Sequence, residues 1–263
     1  MNSVPPLSLL VFSDLDGTLI DHQTYSADAA SPALDALESC GAGLVMASSK
    51  TGPEIARIRD ALGWSDWPAI VENGAGVLPP RDMGQGDTAQ YDLLRGHLDT
   101  VPQPLRILFR GFGDMTETEV SEATGLSIDA AALAKSRAFS EPGLWLGTDA
   151  QRAAFLDHLD GRGVTAREGG RFLTLSFGRT KADRMAALIE HYRPDHTIAL
   201  GDAPNDIEML EAADTGVIVA NPHRAPLPLL QGEATGRIQR TALAGPQGWN
   251  QAILALLDTL KLS

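Results

Sequence analysis

Short apolar runs closed by polar turns recur through the first eighty residues. Leu7 to Phe12 is one, broken by Ser13-Asp14; Leu44 to Ala47 and Ala69 to Val71 are two more. Runs that are apolar at every position, rather than at alternate ones, mark strands of a parallel sheet covered on both faces. Helical patterns separate them. Ser31-Pro32 supplies an N-cap and a proline at N1 for a helix running to Cys40, and Thr51-Gly52-Pro53 opens a second helix through Leu62. Asn73-Gly74 closes the third strand with a turn signal. Strand–helix–strand–helix–strand with short connections predicts an α/β fold with a doubly wound parallel sheet.

The middle of the chain has another texture. From Arg81 to Gly113 it is rich in Gly, Pro and Asp, with one helix-like stretch, Tyr91 to Leu98. Thr116-x-x-Glu119 and Ser127 are candidate helix N-caps, the first with capping-box spacing. A short strand after Gly143, a helix near Gln151 to Leu159, and strands at Val164 to Ala166 and Phe172 to Phe177 complete an α+β insert. The alternation then resumes: a helix from Lys181 to Tyr192, a strand from Thr197 to Leu200, a helix from Asp206 to Ala213, a strand from Gly216 to Val219 and a last helix from Gly248 to Leu260. The expected organisation is one discontinuous core, residues 1–81 and 179–263, carrying an inserted domain at 82–178.

Composition narrows the function. The 263 residues include 34 acidic and 21 basic side chains, a net charge of −13, which argues against nucleic-acid binding and against a polybasic membrane anchor. No apolar run has the length of a membrane span, and Met1 to Phe12 lacks the basic start of a signal peptide. One cysteine, Cys40, cannot form an internal disulfide, and a cytoplasmic location is expected. The state expected is a monomer or homodimer.

The chemistry gathers at strand ends. In Asp14-Leu15-Asp16-Gly17-Thr18 two carboxylates at i and i+2 follow a strand directly, so they start on one face at its carboxyl end. Alone, such a stretch reads as a solvated acidic turn. Gly201-Asp202-Ala203-Pro204-Asn205-Asp206 brings two more carboxylates to the end of another strand. In one parallel sheet these ends share an edge, where ligands of open α/β sheets bind. Four acids there call for a small divalent cation, and Mg²⁺ takes one or two carboxylates plus a substrate phosphate. Ser48 at a third strand end offers a hydroxyl, and Lys181 at a helix start offers a positive charge. Taken singly, Ser48 reads as a strand-end cap and Lys181 as a surface lysine; their joint placement gives them weight.

These stretches, in this order, resemble the four motifs of the haloacid dehalogenase-like (HAD) superfamily of phosphatases: Asp14-x-Asp16-Gly17-Thr18, Ser48, Lys181 and Gly201-Asp202-x-x-Asn205-Asp206. Ala47-Ser48-Ser49-Lys50-Thr51, Val71-Glu72-Asn73-Gly74-Ala75, Lys135 to Pro142 and Gly169-Gly170-Arg171-Phe172 further resemble the mannosyl-3-phosphoglycerate phosphatase family. The chain departs from the pattern at Ser48, where threonine is common, and at Thr180-Lys181-Ala182, where Asp-Lys-Gly is more usual. The resemblance implies a HAD-like core with a large α/β cap and a Mg²⁺-dependent phosphomonoester hydrolase. Asp14 would be the nucleophile and Asp16 the acid and base. Lys181, Ser48, Asn205 and Thr18 would serve the phosphate. The cation would lie among Asp14, Asp16, Asp202 and Asp206, with Asp16 contributing its backbone carbonyl. The implied partner is a small phosphorylated sugar–glycerate.

Six basic residues against two acidic ones lie between Gly161 and Arg184, a local excess of +4 in an acidic chain, and this suggests an anion site. Most of these arginines are expected on solvent faces. Arg171, beside Gly170, is the candidate for substrate contact, together with Ser140 in the insert. Glu72 and Asn73 suit either sugar hydroxyls or the hairpin turn itself. Trp145, beside the Ser140 stretch, is a candidate for stacking on a sugar. The six histidines show no metal-pair spacing and read as surface or capping residues. A broad sugar-phosphate phosphatase, a phosphomutase and a non-catalytic phosphosugar-binding regulator are the alternatives.

Overall fold

The computed structural model describes residues 7–22, 24–169 and 171–262. Along the chain run β1 (Leu9–Ser13), α1 (Ser31–Ser39), β2 (Gly43–Ala47), α2 (Gly52–Ala61), β3 (Ala69–Val71) and β4 (Gly76–Leu78). An inserted set follows: α3 (Ala89–Asp99), α4 (Gln103–Arg106), β5 (Phe109–Gly111), α5 (Glu117–Thr124), α6 (Ile128–Lys135), β6 (Glu141–Trp145), α7 (Asp149–Asp160), β7 (Thr165–Gly169) and β8 (Phe172–Ser176). The chain closes with α8 (Lys181–Tyr192), β9 (His196–Gly201), α9 (Ile207–Ala212), β10 (Thr215–Ala220), β11 (Ile238–Ala244) and α10 (Gly245–Leu260).

Seven strands form one sheet in the order β11-β10-β9-β1-β2-β3-β4, parallel throughout except for the β3–β4 hairpin. Every residue of β1 and β2 is buried, as expected of strands covered on both faces. Successive residues of β1 serve opposite layers. Leu9 and Val11 pack with Leu34 and Leu37 of α1, Ile55 of α2 and Trp249, Ile253 and Leu257 of α10. Leu10 and Phe12 pack with Met185 of α8 and Met209 and Leu210 of α9. The chain leaves β1 towards β2 on one side and reaches β9 on the other, so the carboxyl ends of β1 and β9 flank the crevice where strand order reverses.

The insert, here called the cap, has an antiparallel sheet ordered β5-β6-β8-β7. Leu173 and Leu175 of β8 face a core built with Leu94 and Leu98 of α3 and Phe155 and Leu159 of α7. Phe172, Thr174 and Ser176, at alternate positions, line the cavity on the other face. Two arginines tie the linkers down. The buried Arg59 donates to the carbonyls of Trp67, Pro79 and Asp82 at 2.7, 3.0 and 2.8 Å, and Arg184 donates to those of Gly74 and Ala75 at 2.9 and 2.7 Å.

Several boundaries differ from expectation for local reasons. Ser31 is not an N-cap: a short 3₁₀ turn at Asp28–Ala30 leads into α1, Ser31 is its first residue, and Asn250 Oδ1 of α10 accepts from Ala33 N instead. The helix expected from Asp206 starts at Ile207 after a 3₁₀ turn, and α10 begins three residues early at Gly245-Pro246. Thr51, Thr116 and Ser127 do cap their helices, Thr51 and Thr116 with the full box. No helix among the described residues is long and apolar enough to cross a membrane.

Candidate active site

Asp14 follows β1, Ser48 follows β2 and Asp202 follows β9. Register sets these three neighbours side by side: Ser13 pairs with Leu200 on one flank and Met46 on the other, and Asp14 N donates to Leu200 O at 2.9 Å. Lys181 arrives from across the crevice as the first residue of α8, whose N-cap Thr180 and Asp183 bond reciprocally. Its buried ammonium donates to Asp14 Oδ1 and to Asp206 Oδ1, both at 2.7 Å. Asp206 uses its other oxygen to accept from the backbone N–H groups of Asp202 and Ala203, at 3.1 and 3.0 Å. Asp202 accepts from Thr18 Oγ1 and Asn221 Nδ2, each at 2.8 Å, and pairs with Arg224 Nε at 3.2 Å. Gly17 is required beside this cluster: its φ is +86°, and a Cβ would lie 2.5 Å from Asn221 Nδ2.

Oxygens of Asp14, Asp202 and Asp206 lie within 4.8 Å of one another, all buried. Burial pushes the Asp14 carboxyl up to about 8, and Asp206 and Asp202 add to the rise against the pull of Lys181. Burial works against the Lys181 ammonium as well, but Asp14 and Asp206 overcome it and hold its pKa above the ordinary value. Three carboxylates meet two cations, Lys181 on Asp14 and Asp206 and Arg224 on Asp202, and so fall one positive charge short. A hard, all-oxygen donor set of this kind fits Mg²⁺. Asp16, grouped with these acids from the sequence, directs its carboxylate elsewhere: Oδ2 meets Lys50 Nζ at 2.8 Å.

A cavity of about 720 Å³ opens above Asp14 and Asp16, walled by both the core and the cap. Its cationic wall is Lys50, Arg137, Arg167, Arg179 and Arg224. Arg179, exposed, has no ion pair among the described residues. Asn205 lines the cavity and donates to Asn73 Oδ1 at 2.9 Å. Ser48 and Thr18 are buried and do not line the cavity; Thr18 bonds Asp202.

Other expected contacts are placed differently. Arg171 is exposed outside the cavity wall and donates to the carbonyl of Ala123 at 2.7 Å; Gly170 lies outside the described residues. Ser140 is fully buried and donates to Glu72 at 2.7 Å, so its hydroxyl does not face the cavity. The Glu72 carboxylate is spent on the cap, on Ala138 N at 2.9 Å, Phe139 N at 3.2 Å and Arg137 Nε at 3.2 Å. Trp145 packs on Phe155 inside the cap with ring centroids 5.0 Å apart, not on the cavity. Sequence reasoning gave no role to Lys50, Arg137, Asn221 or Arg224. Lys50, two residues past Ser48 at a strand end, carried a readable signal; the other three depend on the fold.

A family model described as haloacid dehalogenase-like hydrolase matches residues 11–98 and 152–226. The chain is 34% identical over 267 residues to a glucosyl-3-phosphoglycerate/mannosyl-3-phosphoglycerate phosphatase of Methanococcoides burtonii, covering 94% of this chain and 97% of that one. Among solved structures, the sucrose-phosphatase of Synechocystis sp. PCC6803 aligns with a TM-score of 0.60 at 17% identity, covering 97% of this chain and 98% of that one. A protein of Thermotoga maritima aligns at 0.66 and 16% identity, covering 95% and 97%. Identities so low speak for the fold alone. With the motif residues converging on one strand-end crevice, the chain belongs to the haloacid dehalogenase-like hydrolase family.

Proposed function

We propose that this protein is a Mg²⁺-dependent phosphatase that releases phosphate from glucosyl- or mannosyl-3-phosphoglycerate. The observation that carries the reading is the buried Asp14–Lys181 pair beneath a cationic, cap-roofed cavity, in a chain whose 34%-identical relative bears that activity in its name. The volume, about 720 Å³, suits a disaccharide-sized anion. Phosphoglycerate carries a phosphate and a carboxylate, and arginine forks match both groups. Arg179 is the wall arginine left free for the carboxylate.

Asp14 attacks phosphorus through a carboxylate oxygen, forming an aspartyl-phosphate as the bond to the glyceryl oxygen breaks. Asp16, once protonated and released from Lys50, gives its proton to the departing alkoxide, then takes one from the water that hydrolyses the acyl phosphate and frees Asp14. Lys181 neutralises the phosphoryl oxygens at the nucleophile, with Ser48 and Asn205 at the rim of the same group. Asp14, Asp202 and the backbone carbonyl of Asp16 would hold Mg²⁺, with Asp206 beside them. When bound, the ion keeps Asp14 ionised and screens it from the substrate's charge.

Phosphate release from glucosyl- and mannosyl-3-phosphoglycerate, 3-phosphoglycerate, sucrose 6-phosphate and an aryl phosphate, with Mg²⁺ and with excess chelator, tests the reading. Metal-dependent preference for a glycosyl-phosphoglycerate is the expected result. Equal rates across the panel would discard the substrate and keep the phosphatase; no release from any would discard both.

A further inference from the structure

The turn after β3 touches the cap, the end of β2 and the start of α8. Glu72, Asn73 and Gly74 are consecutively left-handed, with φ of 52°, 58° and 94°. A glutamate rarely adopts that conformation, and it persists only where the surroundings over-determine it. Those surroundings are plain. The buried Glu72 carboxylate takes four groups from one cap segment, Arg137 to Ser140. Arg137 also reaches back to the carbonyl of Ser49 at 3.3 Å and to Ser140 Oγ at 2.8 Å. Asn73 N donates to Ser48 O at 2.9 Å, and its side chain accepts from Asn205. Gly74 lies so close to the start of α8 that a Cβ would stand 2.0 Å from the Thr180 carbonyl carbon.

We infer that Glu72 is a positioning residue: through Arg137–Ser140 it fixes the cap over the nucleophile, and through Asn73 it ties that position to Ser48 and Asn205. Both Arg137 Nη groups donate inside this junction and its Nε lies 3.2 Å from Glu72 Oε2 without a hydrogen bond, so the guanidinium is held as part of the cavity wall. The opposite rim is held far more loosely. There Arg167 of the cap meets Glu208 of α9 at 3.9 Å, with both side chains about half exposed. The cap thus meets the core through buried bonds on the Glu72 side and through this exposed ion pair on the Arg167 side. This goes beyond the proposed activity and does not depend on which glycosyl substrate is used.

The test compares Glu72→Ala and the isosteric Glu72→Gln with wild type on two substrates: the bulkiest phosphosugar turned over and an aryl phosphate too small to reach the cap. Glu72→Ala is expected to raise KM for the bulky substrate at least tenfold, while kcat/KM for the aryl phosphate falls less than threefold; Glu72→Gln lies between. Arg137→Met should reproduce the split, and combining it with Glu72→Gln should add little, because both act through one junction. Amide exchange gives a readout independent of turnover: Ala138 and Phe139 exchange at least tenfold faster in Glu72→Ala, with β1 amides unchanged. Equal losses on both substrates, additive effects, or unaltered exchange at Ala138 and Phe139 in the folded variants would overturn the inference.

Discussion

Removing the charge of Asp14 should stabilise the metal-free protein while abolishing its turnover. In the folded chain burial and the neighbouring carboxylates raise Asp14 from 3.8 to about 8. The folded state therefore holds a proton across a range in which the unfolded chain has released it. The stability carried by that proton is fully present below about pH 4 and is lost progressively as pH rises through about 8. At pH 7 the mismatch spans about three pH units, or about 4 kcal/mol at 1.36 kcal/mol each. Asparagine has the same shape, needs no proton and still offers Lys181 an oxygen. Asp14→Asn should thus gain about 2–4 kcal/mol in excess chelator, a rise in Tm of about 5–10 °C for a chain of this length. The gap should widen between pH 5 and pH 8 and stay level above that. Mg²⁺ at about 100 times its Kd would add about 2.7 kcal/mol to the wild type, closing most of the difference. Thermal unfolding of both proteins across pH, with and without Mg²⁺, measures all of this. A chelated variant melting below the wild type, or a gap that ignores pH, would refute the charge shortage assigned to this cluster.

Other outcomes follow from single contacts. Lys181→Met removes the buried cation from Asp14 and Asp206 and should lower kcat by about 10²–10³, measured under saturating substrate. Arg179→Ala should raise KM for a glycosyl-phosphoglycerate by about tenfold with kcat little changed; an equal rise for an aryl phosphate would deny it the carboxylate. Gly74→Ala combines a φ of +94° with the 2.0 Å approach to Thr180 and should cost about 1–3 kcal/mol or more, read as a lowered Tm. Trp249, fully buried and donating to Ser13 Oγ at 2.9 Å, should cost about 3–5 kcal/mol on truncation to alanine in denaturant unfolding.

The parallel core was legible because β1 and β2 are buried on both faces and so read as unbroken apolar runs. The strands that escaped notice lack that signature. β4 and β5 have three residues each, two of the six being glycine, and β11 has an exposed, polar pattern at the sheet edge. At the site, the i, i+2 aspartates and the second acidic strand end announced themselves through local spacing. Partner choice did not. Whether Asp16 faces the acids or Lys50, and whether Glu72 faces a ligand or Arg137, depends on side chains brought together from 34 and 65 residues away. Ser140 and Arg171 show the same lesson: polar residues near glycine and proline look available in a sequence, yet a buried carboxylate claims Ser140 and an exposed backbone carbonyl claims Arg171.

The Glu72 junction also bears on how such enzymes can be recombined. The cap enters and leaves the core through two covalent crossings, which invites exchange of residues 82–178 between relatives as a cassette. That cassette would carry Arg137 to Ser140 but leave Glu72 behind, so the incoming segment would meet whatever the recipient holds at that position. A buried arginine without its carboxylate is a heavy penalty. Chimeras that move residue 72 together with the cap should therefore fold and transfer substrate preference more often than chimeras cut at the linkers alone. If Glu72 positions the cap as proposed, the unit to exchange is the cap plus one residue of the core.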